Sequence, residues 1–196
     1  MSHASGGPAA RSGAARRALF VDRDGTLNPD LHYLKEAERL ELCRGVGRGL
    51  KLAHDHGYLI LCVTNQSGIE RGYYSAEDVE RIHGRLNDLL RPFQVQVDQF
   101  YYCPHAPESG CDCRKPGVGL FERARADWNV AFATSAMVGD RALDVVAARR
   151  LGLVTAFVTP CGRPADGVVE LRREGLVADI ETDRFEAAVL RILALG

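Results

Sequence analysis

Ala18-Leu-Phe-Val-Asp22-Arg-Asp24-Gly-Thr26-Leu-Asn28 decides the fold. Four apolar residues run without polar alternation into an acid, a second acid follows two places later, and a Gly-Thr turn closes the stretch. An unbroken apolar run of this length reads as a strand buried on both faces, the kind found in parallel sheets. Asp22 then stands at its carboxyl end, with Asp24 in the loop just beyond. In an open α/β sheet, ligands bind outside the carboxyl ends of the strands.

The pattern repeats along the chain. Tyr58–Val63 is a second buried strand and ends in Thr64-Asn65-Gln66-Ser67-Gly68, a polar turn suited to an anion. Gln99–Cys103, Ser135–Val138 and Val154–Val158 read as further strands, and Val177–Ile180 as an edge strand. Helices are expected over Val46–His56 (stopped by Gly57), Ser75–Phe93 (opened by a Ser75/Asp78 capping box), Gly117–Trp128, Ala142–Leu151, Val168–Glu174 and Asp183–Leu195. Alternating strands and helices predict a doubly wound parallel sheet with helices on both faces, Rossmann-like, and no linker marks a second domain.

With 196 residues, 46% hydrophobic and 26% charged, the chain suits one domain, residues 18–196, behind a disordered extension over residues 1–17. Arg11, Arg16 and Arg17 read as part of that solvated tail. A net charge of −1 gives no footprint for nucleic acid, and no apolar run could span a bilayer. The lack of a signal-like hydrophobic segment points to the cytoplasm, where six cysteines do not suggest a disulfide framework. Cys43 and Cys62 read as small buried groups, Cys161 as a loop thiol, His54 and His56 as ordinary helix-end residues, and Trp128 as a core anchor. A monomer is expected.

Two constellations carry chemistry. The first gathers Asp22, Asp24, Thr64, Lys115 and Asp140. A carboxylate nucleophile, a neighbouring proton donor and charge-neutralising cations are what phosphoryl transfer through an aspartyl-phosphate requires. Separated aspartates could share Mg²⁺ with a substrate phosphate, and Lys115 just before a helix start suits a phosphate as well. The second is Cys103-Pro-His105, five residues, then Cys111-Asp-Cys113. Three thiolates and an imidazole match a closed, structural Zn²⁺ site in which protein supplies every ligand.

Asp22-Arg-Asp24-Gly-Thr26, Thr64-Asn65, Lys115-Pro116 and Gly139-Asp140 resemble the four motifs of the haloacid dehalogenase-like phosphatases, and the resemblance spans about residues 18–158. It implies that Asp22 is the nucleophile and Asp24 the general acid/base. Thr64 and Lys115 would hold the phosphoryl group, and Mg²⁺ would lie on Asp22, the Asp24 carbonyl and Asp140. The zinc loop resembles the capless branch of heptose 1,7-bisphosphate 7-phosphatases and histidinol-phosphate phosphatases.

Thr64–Tyr74 is similar to the heptose enzymes, as is Asn28 followed by Asp30, His32 and Tyr33. The resemblance implies substrate contacts from Asp30, His32, Tyr33, Asn65, Gln66, Ser67, Arg71, Arg114 and Arg141. The five-residue spacing between His105 and Cys111 looks more like the histidinol-phosphate enzymes. The expected substrate is a phosphorylated sugar, the heptose bisphosphate of bacterial surface-glycan (lipopolysaccharide) biosynthesis. Histidinol phosphate is the alternative.

Overall fold

The structure, a computed structural model, describes residues 13–159, 161 and 171–195. Six parallel strands form one sheet: β1 Ala18–Val21, β2 Leu59–Asn65, β3 Gln99–Cys103, β4 Ala136–Gly139, β5 Val154–Val158 and β6 Ile180–Thr182. Their order is β3-β2-β1-β4-β5-β6. The chain therefore builds outward from β1 in one direction, returns, and builds outward from β4 in the other. β1 and β4 lie side by side at the reversal, where a doubly wound sheet opens its crevice.

Among the described residues, five complete α-helices flank the sheet: α1 Val46–Asp55, α2 Ala76–Leu90, α3 Gly119–Trp128, α4 Ala142–Arg150 and α5 Phe185–Leu193. The period-2 alternation of a strand explains the unbroken apolar runs. Leu19 and Val21 of β1 join Val46, Leu50, Ile82, Leu86 and Val189 in one core. Ala18 and Phe20 face the other way, into a core with Leu120, Phe121, Ala124, Ala147 and Ala148. Thus α1, α2 and α5 cover one face, and α3 and α4 the other.

The Ser75/Asp78 capping box at α2 is present as expected: Asp78 N donates to Ser75 Oγ (3.2 Å) and Ser75 N to Asp78 Oδ2 (2.7 Å). Several boundaries move for identifiable reasons. β2 runs on to Asn65 because β3 pairs with it through Thr64↔Tyr102 and Asn65↔Cys103. α3 begins at Gly119, since Gly117 N is spent on a turn to Arg114 O (2.6 Å). Lys115 therefore sits in a turn with a cis Lys115–Pro116 bond, apart from the helix start. β6 begins later than expected because Asp179 accepts from Thr155 N (2.8 Å) and Thr155 Oγ1 (2.7 Å) instead of continuing a ladder. Of the expected helix Val168–Glu174, residues 168–170 lie outside the described residues, and 171–173 are helical.

Two expectations are corrected. Arg16 and Arg17 are held by the domain: Arg16 N donates to Asn129 O (2.9 Å), and the Arg17 guanidinium covers the Tyr58 ring at 4.6 Å. Residues 1–12 lie outside the described residues. Cys43 and Cys161 form a disulfide across 118 residues, with Cα atoms 5.9 Å apart. Their distance in sequence hid a pairing that the return from β5 to the first loop makes close. No helix among the described residues is long and apolar enough to cross a membrane.

Candidate active site

The carboxyl ends of β1, β2 and β4 converge, and the turn after β3 reaches over to them. Asp22 follows β1 directly, its N–H donating to Val138 O of β4 (3.0 Å). Lys115 is almost wholly buried, and its ammonium donates to Asp22 Oδ1 (2.6 Å) and Val63 O (2.6 Å). It also pairs with Asp144 Oδ1 at 2.7 Å. The turn bearing Lys115 is fixed by Asn65, whose amide accepts from Lys115 N (3.0 Å) and donates to Lys115 O (3.2 Å). Asn65, expected at the substrate, lines the cavity and also places the lysine.

The loop after β1 curls tightly. Arg23 O accepts from the N–H groups of Thr26, Leu27 and Asn28, and Gly25 adopts a left-handed φ of 88°. A Cβ at Gly25 would lie 2.3 Å from Asp140 Oδ2, so glycine alone lets the turn approach that carboxylate. Thr26 Oγ1 donates to Asp140 Oδ1 (2.9 Å), locking the turn onto β4.

Asp24 is held by four donors. Oδ1 accepts from Arg23 Nε (3.1 Å) and Asn28 Nδ2 (3.0 Å). Oδ2 accepts from Arg23 Nη2 (2.7 Å) and Gln66 Nε2 (2.8 Å). Gln66 is fixed in turn by Tyr74 Oη (2.7 Å) and Thr64 Oγ1 (2.9 Å). Burial alone would raise the Asp24 carboxyl. The Arg23 guanidinium, with the Asn28 and Gln66 amides, outweighs it and holds Asp24 below the usual carboxylate range.

Asp22, Asp140 and Asp144 are all buried and offer oxygens within 4.8 Å of one another. Burial, countered by Lys115 and abetted by Asp144, raises Asp22 to about 6. Burial with Asp22 and Asp144 beside it raises Asp140 to about 9. The Lys115 ammonium bridges Asp22 and Asp144, and the Arg23 guanidinium pairs with Asp24, while Asp22, Asp140 and Asp144 converge on one spot. Hard oxygen donors gathered in this way fit a divalent cation such as Mg²⁺.

Above the acids opens a cavity of about 330 Å³ lined by Asp22, Asp24, Thr64 and Lys115, and by Asp30, His32, Tyr33, Gln66, Ser67, Arg114 and Arg141. The structure brings these expected residues together around one cavity, with Asn65 also in its lining. Arg71 is exposed and lies outside the lining. Two participants were missed. Asp144 stands four residues after Asp140, and acidic residues one helical turn apart were the available signal. Arg23 is 1% exposed, and a cation between two acids could have announced it.

The cysteine loop closes on itself beside this cavity. Cys113 Sγ lies 3.1 Å from Cys103 Sγ and 3.5 Å from Cys111 Sγ, with His105 Nδ1 3.2 Å from Cys113 Sγ. Around one tetrahedral zinc the sulfur–sulfur edges would be about 3.8 Å. All four ligand atoms fall within 4.8 Å of one another, so the set can hold one metal ion.

Comparison with known proteins agrees with this arrangement. A family profile described as HAD-hydrolase-like matches residues 112–174. The D-glycero-beta-D-manno-heptose-1,7-bisphosphate 7-phosphatase of Haemophilus ducreyi is 41% identical over 155 residues, covering 76% of this chain and 85% of its own. A probable D-glycero-D-manno-heptose-1,7-bisphosphate 7-phosphatase of Thermoplasma acidophilum is 42% identical over 150 residues, covering 76% and 94%. The crystal structure of D,D-heptose 1,7-bisphosphate phosphatase from B. bronchiseptica, complexed with magnesium and phosphate, superposes with a TM-score of 0.81 at 26% identity, over 92% of this chain and 99% of the other. With its four motifs gathered at the switch of a doubly wound sheet and these relatives at about 40% identity, the chain belongs to the haloacid dehalogenase-like phosphatases, in the heptose-1,7-bisphosphate 7-phosphatase family.

Proposed function

We propose that this protein is a Mg²⁺-dependent phosphomonoesterase that removes the 7-phosphate of D-glycero-D-manno-heptose 1,7-bisphosphate through an aspartyl-phosphate on Asp22. The observation that carries the reading is the Asp22 carboxylate on the cavity floor, 2.6 Å from the Lys115 ammonium, with Asp24 in the wall two residues on. In the first step an Asp22 oxygen bonds to phosphorus as the phosphorus–O7 bond breaks, and Asp24, which takes up a proton from solvent once bound substrate displaces one of its donors, gives that proton to O7. In the second, Asp24 takes a proton from water, the oxygen of that water bonds to phosphorus, and the bond to Asp22 breaks. Because four donors already meet Asp24, the leaving oxygen and the water must each displace one of them. Lys115 and the Thr64 hydroxyl stabilise the phosphoryl oxygens.

Asp22, the Asp24 carbonyl and Asp140 would hold Mg²⁺, with Asp144 alongside. The ion supplies positive charge to the transferring group. Cys103, His105, Cys111 and Cys113 would hold Zn²⁺ as a structural ion. Arg114 and Arg141 are the cations placed to meet the distal phosphate, while Asp30, His32, Tyr33 and Ser67 meet the sugar.

Turnover of both anomers of the heptose bisphosphate and of histidinol phosphate tests the substrate. We expect the heptose to be preferred by at least about 10-fold in kcat/KM, since the distal phosphate has two arginines to meet and histidinol phosphate lacks one. Faster turnover of histidinol phosphate would reverse the assignment.

The raised carboxyls make a second prediction. In the metal-free fold Asp22 and Asp140 keep protons that the unfolded chain would lose near pH 4. Their stabilisation is therefore complete below about pH 4 and fades as pH rises through 6 and 9. Mg²⁺ displaces those protons, so its affinity should climb by roughly 3- to 10-fold per pH unit across this window. Calorimetry between pH 6 and 8.5 checks this, and a flat affinity would count against the acidic site.

A further inference from the structure

The Cys43–Cys161 disulfide joins two segments that both grip the turn between Asp24 and Asn28. Cys43 N donates to Leu27 O (2.9 Å), and Cys161 N donates to Gly25 O (2.8 Å). The same turn presses Gly25 against Asp140 and delivers the Thr26 hydroxyl to that carboxylate. Cys43 is buried, Cys161 is half-buried, and both pack against the core beneath β1. The crosslink thus closes a ring around the one turn that sets the distance between the β1 and β4 acids. Neither cysteine takes part in the phosphoryl chemistry or in the four-ligand metal cluster.

We propose that Cys43 and Cys161 form a redox-responsive clasp on this turn, one that tightens divalent-cation binding when oxidised. The inference rests on the reading of the acidic cluster as a Mg²⁺ site. Closing it takes two thiols to one disulfide, with two electrons and two protons passing to a low-molecular-weight disulfide such as oxidised glutathione, which leaves as two thiols. Opening reverses the exchange, by thiolate attack at the more accessible Cys161 sulfur. With the clasp open, Cys161 holds Gly25 by a backbone hydrogen bond and packing alone. The turn samples positions in which Asp140 is less well met.

The test compares wild type equilibrated with oxidised glutathione, wild type reduced with a phosphine, and the Cys43→Ser/Cys161→Ser variant. Zinc content is checked in each, and thiols are counted by alkylation and mass spectrometry. Mg²⁺ affinity is read by calorimetry, and turnover of an aryl phosphate is followed at limiting and saturating Mg²⁺. We expect the oxidised form to bind Mg²⁺ about 5-fold tighter, the factor that corresponds to one ordinary hydrogen bond. Its turnover advantage should appear at limiting Mg²⁺ and shrink at saturation. The variant should match the reduced form under both redox conditions. Equal Mg²⁺ affinity in both wild-type forms, or free Cys43 and Cys161 after oxidation, overturns the clasp and leaves the phosphatase reading standing. Absence of Mg²⁺ binding in every form overturns the site reading and the clasp with it.

Discussion

Asp22→Asn gives a folded protein whose phosphatase turnover falls by at least about 10⁴-fold, the scale of loss when a nucleophile is removed. The substitution keeps size and shape, so the strand end that pairs with Val138 is unaffected. Lys115 keeps Val63 O and Asp144 as partners, so no buried charge is abandoned. Removing one of three crowded buried acids relieves repulsion, and the metal-free variant should melt at or above the wild-type temperature at pH 8. Aryl-phosphate hydrolysis with circular dichroism decides it. A folded Asp22→Asn protein within 10-fold of wild type would remove Asp22 from the role of nucleophile.

Loss of the zinc proposed for the cysteine cluster is expected to have the next largest effect. Cys111→Ser is the cleaner variant because Cys111 is half-buried, whereas Cys103 is wholly buried and its loss would also open the core. The chain between Cys103 and Cys113 contains only a single 3₁₀ turn, Pro107–Ser109, so little but the metal would hold its shape. Structural zinc supplies about 10–16 kcal/mol in isolated fingers. Here, with one loop at stake, a loss on the order of 5 kcal/mol and a fall of roughly 10–20 °C in Tm are expected. Activity should fall too, since Arg114 and Lys115 follow the last ligand directly, and Gly117 and Gly119 pack on the Asp112 carbonyl. Metal analysis and calorimetry check both. Full metal content or an unchanged Tm in Cys111→Ser would exclude the zinc assignment.

Most of the fold was legible because most strands are short apolar runs ended by polar residues, a signal that needs no tertiary knowledge. β1, β3 and β5 fall where the pattern puts them. Ends set by partners were not legible. β2 gains Thr64 and Asn65 only because β3 lies beside it, and Ile180 begins β6 only because Asp179 turns back to Thr155. The site divides the same way. Asp22, Asp24, Lys115 and Asp140 stood out in the sequence because phosphoryl-transfer chemistry restricts residue type, and the structure brings them together. The supports did not: Asn65 holding the Lys115 peptide, Gln66 and Arg23 holding Asp24, and Asp144 sharing Lys115 are roles that only proximity assigns. The Cys43–Cys161 bond was invisible for the same reason.

The strand order has a consequence for synthesis. Emerging from the ribosome, β1 pairs with β2 on one flank and β3 then adds beyond β2, while the other flank of β1 waits for β4 more than 110 residues later. Until Ala136–Gly139 arrives, Ala18–Val21 is an outer strand, apolar on both sides, with a row of unpaired N–H and C=O groups. Such an edge is a template for joining other chains. A nascent or truncated chain lacking β4 is therefore sticky, and, without the Asp140 proposed to hold Mg²⁺, is expected to be inert. Phosphate release serves as a direct gauge of how many molecules have completed the sheet.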